Sequence, residues 1–367
     1  MTSIEVIRTT KLSRIGAVVG AGLTALLISM PFWTDAGTQQ TLIEFFYFLA
    51  LAQIWNLLAG YGGMISIGQQ AYIGLGSYAL VMLSLKFGLN PFAAVVVSGL
   101  ITGLLAIPTY QLISRLQGAY FAVGTWVVAD VARQFLANIS WLGGGSGISI
   151  TEVMQPYDEW WRDSLTFWMA VAIGIGSIAV AYLLLRSQHG LGLTAIRDSE
   201  AASESLGVDV PRLKRKVYVI AGACTGMVGA LIFMTKLRIS PDSSFSVEWS
   251  ALMIFIVVIG GIGTIEGPIV GTVLYFILRN MLSDYGSIYM IVLGSIAILA
   301  MLKMRSGIWG AVARRFDWQL FPVQRRIRPI SGKYPNTHIP EKAVPLPGLI
   351  EAAEPADARG AGGNPSG

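Results

Sequence analysis

The chain has 367 residues, of which 54% are apolar and 13% are charged, and its mean hydropathy is +0.61. This composition excludes an ordinary soluble domain and predicts an all-α polytopic membrane protein that contacts a lipid bilayer. The net charge of +5 comes from lysines and arginines that flank apolar segments, so it does not indicate nucleic-acid binding.

Long apolar segments recur between residues 15 and 305, which predicts one transmembrane domain over this range. A helix needs about 20 residues to cross a bilayer, and about ten segments approach or exceed that length. They are residues 15–33, 41–59, 64–85, 91–113, 118–137, 165–185, 217–236, 250–262, 267–282 and 286–302. The first has the basic start of a secretory signal, but no small-residue cleavage site follows its long apolar run, so we expect an uncleaved helix.

The distribution of lysine and arginine predicts the orientation of these helices. Basic side chains concentrate in residues 1–14, in the loop 186–216 and in residues 306–367, whereas the loop 138–164 holds four acidic residues and one arginine. With about ten crossings, the three basic segments and both termini are cytoplasmic, and the loop 138–164 is periplasmic. A re-entrant pair of segments would give the same charge distribution, so the number of crossings stays open.

Residues 60–79, GYGGMISIGQQAYIGLGSYA, interrupt the longest charge-free stretch of the chain with six glycines and two adjacent glutamines. Irregular backbone at membrane depth is tolerated only when it is buried in protein or lines a watery cavity. The polar side chains here are therefore candidates to line a translocation path. They are Ser66, Gln69, Gln70 and Tyr72. The alternative is that the glycines only permit close helix packing.

A second interrupted segment lies in the other half of the chain, VVIGGIGTIEGPIVGTVLYF at 257–276. Gly260, Gly261 and Thr264 follow Gly62, Gly63 and Ser66 at a constant offset of 198 residues. Paired interrupted segments in the two halves of a transporter indicate a binding region near the membrane midplane, which adds Thr264 to the path candidates. Glycines four residues apart also predict close helix packing. These pairs are Gly99 with Gly103, Gly222 with Gly226, and Gly267 with Gly271.

The sequence offers no catalytic centre and no metal site. Cys224 is the only cysteine, the two histidines lie in a predicted loop and in the tail, and no lysine-containing phosphate loop occurs. Charges within the predicted spans are few: Glu44 lies near a helix end, and Asp130 and Arg133 are spaced so that they can pair. We therefore expect neither enzymatic activity nor ion-coupling carboxylates.

The loop 186–216 contains the sequence HGLGLTAIRDSEAASESLGVDVPRLKRK. Residues 194–206 predict a short helix that Gly207 ends, with Pro211 beyond it. Such a helix buries too little surface to be stable alone, so it needs a groove on its own protein or on a partner. A helix that lies on the membrane surface is the alternative, although the abundant carboxylates disfavour it.

This loop, together with RLQGAYFAVGTWVVADVAR (115–133), GGGSGI (143–148) and GGIGTIEGPIVG (260–271), resembles the permease subunits of branched-chain amino acid ABC importers. The match is to the larger of that system's two permeases and covers about residues 40–305. The resemblance implies a subunit of an ATP-driven importer in the bacterial inner membrane. Its partners would be a second homologous permease, two ATP-binding subunits and a periplasmic solute-binding protein.

The resemblance also implies a cytoplasmic coupling helix, which sits in a cleft of the ATPase and transmits its motion to the permease. The segment 200–207 is the candidate here. The residues expected to take part are Ile196, Arg197, Glu200, Ala201, Ala202 and Gly207. No cofactor is expected in this chain, since ATP and Mg²⁺ would be bound by the partner ATPases.

The expected cargo is a branched-chain or related amino acid, with urea, short amides or aromatic acids as alternatives for the same machine. A rival of another class is an ATP-independent secondary transporter or channel. That rival would place ion-coupling carboxylates in the spans and would need no partner-binding helix, and the sequence has the reverse of both features.

Two peripheral regions carry weaker signals. Trp141, Trp160 and Trp161 in the outer loop form either an aromatic belt at the membrane interface or a docking surface for the binding protein. Residues 318–367 contain eight prolines and few apolar runs, so this part of the cytoplasmic tail is predicted to be disordered.

Overall fold

The computed structural model describes residues 4–7, 11–282, 291–292, 294–296, 298–299, 307–316, 321 and 326–329. The chain forms two units. The small unit, Met1–Val6 with Arg326–Gly367, is built on a pair of strands, Ile4–Ile7 (β1) and Arg326–Pro329. The rest of the predicted disordered tail lies outside the described residues.

The large unit, Ile7–Arg325, is mostly helical where it is described. Its helices are α1 (Lys11–Ser29), α2 (Ala36–Asn56), α3 (Gln70–Val81), α4 (Pro91–Ile113), α5 (Ala119–Ala137), α6 (Thr151–Met154), α7 (Glu159–Arg186), α8 (Gln188–Asp198), α9 (Glu200–Ser205), α10 (Val210–Lys236), α11 (Pro241–Ser244), α12 (Val247–Gly260), α13 (Glu266–Leu282) and α14 (Gly307–Phe316). Single π-helical turns, Leu57–Tyr61 and Met82–Lys86, extend α2 and α3. Two short strands, β2 (Ile148–Ser149) and β3 (Arg238–Ile239), pair antiparallel.

Five segments of the described chain are long and apolar enough to cross a membrane. They are Ala36–Tyr61, Pro91–Ile113, Glu159–Arg186, Val210–Lys236 and Pro241–Gly260. The all-α polytopic class is therefore confirmed, whereas the count of about ten crossings stays a prediction. The predicted last span, 286–302, lies largely outside the described residues.

Helix starts follow local capping chemistry. Asp35 caps α2, because its carboxylate accepts hydrogen bonds from the Thr38 backbone N at 2.9 Å and from Thr38 Oγ1 at 2.7 Å. These hydrogen bonds stabilise the ionised form and so lower the pKa of the Asp35 carboxyl. Asn90 caps α4 in the same way, accepting from the Phe92 backbone N at 2.9 Å, and Pro91 occupies the first helical position.

Remote contacts gather at two ends of the helical unit. One of them, which we call the loop end, contains the loop 138–164. There Ile148 pairs with Ile239 across β2 and β3, and Lys86 Nζ lies 4.6 Å from the centre of the Trp141 ring. The ends of α3, α5 and α10 and the start of α7 therefore lie on the same side of the unit.

The other end, which we call the basic end, contains the loop 186–216. Tyr110 Oη, near the end of α4, donates to the Pro211 carbonyl at 3.4 Å, and the Tyr182 ring, near the end of α7, lies 5.7 Å from that of Phe321. Successive long helices thus run between the two ends in opposite directions. The acidic and the basic loop lie at opposite ends, as the charge pattern requires of a spanning bundle.

Small residues let the central helices approach closely. A Cβ added to Gly226 in α10 would lie 1.9 Å from Thr102 Oγ1 in α4, and one added to Gly103 would lie 2.9 Å from the Ala223 Cβ. Neither position can hold a larger side chain without a shift of a neighbouring helix. The packing role predicted for these glycine spacings is confirmed.

Candidate functional site

The two interrupted segments lie against each other, joined by a residue that the sequence did not single out. Asn56, in the last turn of α2, is 1% exposed. Its Nδ2 donates to the Thr264 carbonyl at 2.8 Å, and its Oδ1 accepts from the Gly263 backbone N at 2.8 Å. Gly60 completes the contact, since a Cβ there would lie 2.6 Å from the Gly263 nitrogen. One buried amide therefore ties the second segment to the first.

The first segment is held by α2 and α5. Residues 62–69 form no regular helix, so α3 begins at Gln70 rather than at the predicted residue 64. The indole Nε1 of Trp55 donates to the Ser66 carbonyl at 2.8 Å, and Thr125 Oγ1 accepts from the backbone N of Gly68 at 3.2 Å. These bonds satisfy backbone groups that lack a helical partner.

The polar side chains proposed for the path are enclosed by the chain's own helices. Ser66, Gln69, Gln70 and Tyr72 are each at most 1% exposed, and Thr264 is half-buried. Gln69 Oε1 accepts from Thr225 Oγ1 at 3.4 Å, and Gln70 Oε1 accepts from Ser250 Oγ. The structure does not test whether these side chains line a path, so this role stays a prediction.

The loop 186–216 contains two short helices where the sequence predicts one over 194–206. Ser199, between α8 and α9, has an extended backbone (φ −162°, ψ 116°). Its Oγ accepts from the Ala202 backbone N at 3.3 Å and so caps α9. The single-helix prediction is wrong because a serine N-cap competes with helix continuation. Gly207 follows Leu206, the C-cap of α9, and adopts φ +84°, as expected of a residue that ends a helix.

The predicted coupling residues divide into an anchor and an exposed tip. Ile196 is 5% exposed and packs in the same apolar cluster as Leu193 and Leu213. Ala201 and Ala202, by contrast, are exposed on α9. The sequence analysis missed Leu206, which is 81% exposed at the end of α9. A single helix over 194–206 gave no sign of this exposure.

Glu200 forms an ion pair inside the loop, since its carboxylate lies 2.7 Å from Lys214 Nζ at the start of α10. Arg197 connects the loop to both interrupted segments. Its guanidinium lies 6.0 Å from the centre of the Tyr61 ring, and a Cβ added to Gly263 would be 3.6 Å from its Nη1. Through Arg197, the loop 186–216 therefore approaches both interrupted segments.

The second interrupted segment is covered by the chain that follows the last predicted span. A Cβ added to Gly307, at the start of α14, would lie 2.4 Å from the Gly261 Cα. The Phe321 backbone N donates to Glu266 Oε1 at 2.9 Å. Glu266 is 7% exposed at the start of α13. The segment between α12 and α13 thus belongs to the basic end.

The charges singled out in the predicted spans, Glu44, Asp130 and Arg133, form ion pairs. Arg133 lies 3.0 Å from Asp130, as their spacing predicts, and 2.9 Å from Asp242 of α11. Arg279 of α13 lies 2.5 Å from Glu44 of α2. Within the described residues, no group of three histidine, cysteine, aspartate or glutamate side chains could hold a metal ion.

Comparison with known proteins identifies the family of the chain. The model of a family described as branched-chain amino acid transport system / permease component matches residues 37–301. The chain belongs to this family. It is therefore a multi-pass membrane permease, and a transport protein by family rather than an enzyme. No solved structure matches it.

Three individual relatives show which named transport proteins this chain is similar to. The high-affinity branched-chain amino acid transport system permease protein LivM of Escherichia coli is 25% identical over 316 residues, which cover 78% of this chain and 73% of LivM. The ribose import permease protein RbsC of Haemophilus influenzae is 23% identical over 274 residues, 69% of this chain and 84% of RbsC. The probable branched-chain amino acid transport permease protein LivH of Methanocaldococcus jannaschii is 19% identical over 230 residues, 60% of this chain and 72% of LivH.

Proposed function

We propose that this permease is the larger membrane-spanning subunit of an ATP-driven importer of branched-chain or related amino acids. A periplasmic binding protein delivers the solute, a second homologous permease completes the path, and two ATP-binding subunits bind and hydrolyse ATP with Mg²⁺. The similarity to LivM and LivH, two permease proteins whose names describe branched-chain amino acid transport, supports this cargo and the pairing of two permeases.

The observation that carries the proposal is the exposed and anchored helix α9. Ala201, Ala202 and Leu206 present a small apolar surface to solvent at the basic end. The Glu200 ion pair with Lys214 and the Ser199 cap hold this surface in place. A helix this short is not stable alone, and an exposed leucine at its end favours a partner that covers it.

The contacts of the loop support a mechanical route from α9 to the membrane domain. Movement of α9 displaces α8, whose Arg197 touches Tyr61 and lies beside Gly263. Asn56 then moves the two interrupted segments as one body. In this mechanism the chain moves its own helices, while the energy comes from ATP bound to the partners.

The experiment is ATP-dependent leucine uptake by vesicles that contain this chain with its partner permease, ATPases and binding protein. Ala202→Trp adds a bulky side chain at an exposed position of α9, so it obstructs docking without disturbing the core. We expect uptake to be lost and the variant chain to remain in the membrane. Ser114→Trp, at an exposed position after α4 at the basic end, is the matched control and should transport normally. Undiminished uptake by Ala202→Trp would contradict the role of α9.

A sugar is a second candidate substrate for the same importer, because relatives are named as permeases for ribose and L-arabinose. Urea, short amides and aromatic acids are further alternatives. Unlabelled ribose, urea and leucine should therefore be compared as competitors of labelled leucine. Competition by leucine alone supports the amino acid assignment. Uptake of ribose or urea without leucine uptake would support an ATP-driven importer with a different substrate.

A further inference from the structure

A cavity of about 350 Å³ opens at the loop end, between α2, the end of α10, α12 and α13. Its volume lies in the range of small-molecule sites, about 300–1,000 Å³. It lies on the far side of the helical unit from α9, next to the loop 138–164, because Asp242 in its wall pairs with Arg133 near the end of α5. A solute delivered at the loop end would meet this cavity first.

One wall of the cavity is aromatic and rigid. The Phe48 ring lies 5.2 Å from that of Tyr275 and 6.0 Å from that of Trp249, and the Tyr47 ring lies 6.3 Å from Trp249. All four side chains are at most 7% exposed. Leu252 adds an aliphatic contact beside them. This wall provides a preformed apolar surface for a ligand side chain.

Some charged side chains of the cavity form ion pairs, and others do not. Glu44 pairs with Arg279, and Asp242 pairs with Arg133. In the described part of the chain, Lys236 and Glu248 form no ion pair. The Lys236 ammonium instead lies 4.9 Å from the centre of the Trp249 ring. Among the described residues, the cavity thus presents one cation and one anion without an ion-pair partner, beside an aromatic wall.

We propose that this cavity binds a free amino acid as a zwitterion. Lys236 pairs with its carboxylate, Glu248 pairs with its ammonium group, and its apolar side chain packs on Trp249 and Leu252. This inference rests on the proposed function and names the chemical class that this permease admits. A solute with both charges neutralises both protein groups, whereas urea or ribose leaves both unpaired. An analogue with a single charge leaves one of the two protein groups unpaired.

The test measures protection of a thiol by the solute. Cys224 is the only cysteine, so Cys224→Ser provides a thiol-free chain. In that background Ser243→Cys places a thiol at an exposed position of the cavity, and Ser140→Cys places one at the loop end outside it. Both are introduced into the reconstituted complex, and the rate of modification by a charged thiol reagent is measured with and without solute.

We expect L-leucine to slow modification at position 243 severalfold and to leave the rate at position 140 unchanged. Leucinamide and 4-methylpentanoate, which lack the carboxylate and the ammonium group respectively, should protect far less, and urea and ribose should not protect. Lys236→Gln should abolish protection by leucine, measured relative to the modification rate of the same variant without solute. Arg238→Gln, which lies outside the cavity in β3, two residues further along the chain, is the control and should keep full protection.

Equal protection by leucinamide, 4-methylpentanoate and leucine would overturn the zwitterion assignment, and so would protection that survives Lys236→Gln. A thiol at position 243 that reacts only when the second permease is left out would overturn it differently, because this face would then be a subunit interface. Leucine uptake in the same vesicles distinguishes failure of the binding-site proposal from failure of the proposed function. ATP-driven leucine uptake without protection would refute the binding site and leave the proposed function intact. Absence of leucine uptake would refute the proposed function itself.

Discussion

Asn56 joins the two interrupted segments, because it satisfies two backbone groups that lie 207 and 208 residues away in sequence. We predict that Asn56→Leu destabilises the complex, since the Gly263 N–H and the Thr264 carbonyl lose their partner. Each buried polar group left unsatisfied costs about 1–3 kcal/mol. The thermal midpoint of the purified complex and the rate of leucine uptake measure the loss.

Gln53 provides a matched control on the same helix. It is 0% exposed, and neither Oε1 nor Nε2 has a hydrogen-bond partner among the described residues. Replacing such a group with an apolar one of similar size is close to neutral or stabilising. Gln53→Leu should therefore keep or raise the midpoint, and equal losses in the two variants would refute the bridging role of Asn56.

Single residues show what the sequence could and could not predict. The glycines and Ser66 drew attention to the interrupted segments because such residues are unusual in a lipid-buried stretch. Asn56 gave no such signal, since its partners are distant in sequence and an isolated asparagine has no local pattern. Ser199 did carry a signal, a serine followed at once by Glu200, which is typical of a helix start.

At the scale of helices, α8 is the link between the exposed α9 and the membrane domain. We predict that Arg197→Gln lowers leucine uptake strongly while ATPase subunits still bind, because the loop loses its contact with Tyr61. Uptake and co-purification of the ATPases are measured on the same preparation. Arg212→Gln is the control, since that side chain is 75% exposed and its one ion pair among the described residues is with Asp209 of its own turn. Equal losses in both variants would contradict a specific role for Arg197.

The packing of α4 on α10 depends on the absence of side chains. Gly226→Ala would place its Cβ 1.9 Å from Thr102 Oγ1, so the helices must separate. Overpacking of this kind costs about 1–3 kcal/mol, and we expect a lower thermal midpoint and poor assembly. Gly176→Ala in α7 meets nothing within 4 Å and should be tolerated. A midpoint unchanged by Gly226→Ala would show that α4 and α10 pack less closely than described.

For the whole molecule, the arrangement of two opposite ends predicts sidedness in the membrane. In the Cys224→Ser background, a membrane-impermeant thiol reagent added outside should modify Ser140→Cys, whereas Ser205→Cys should react only after permeabilisation. Both positions are exposed, so access to the reagent depends on the side alone. Modification of both from the same side would contradict the orientation inferred from the basic residues.

The fold class and the course of the chain could be predicted from the sequence because hydropathy and charge act locally along it. The predicted spans 91–113 and 118–137 agree closely with α4 and α5. The cavity at the loop end could not be predicted, since Glu44, Lys236 and Trp249 come from different helices and each has an ordinary explanation on its own. A site formed by side chains from distant helices can be recognised only when the packing of those helices is known.

The measurement that tests the central claim most directly is the energy source of uptake in reconstituted vesicles. Leucine accumulation is compared for the full complex with ATP, for the full complex with a non-hydrolysable ATP analogue, and for this chain alone under an imposed ion gradient. We predict accumulation only in the first case, because this permease moves its helices through partners that hydrolyse ATP. Accumulation by the chain alone under the ion gradient would contradict the account and would favour a secondary transporter.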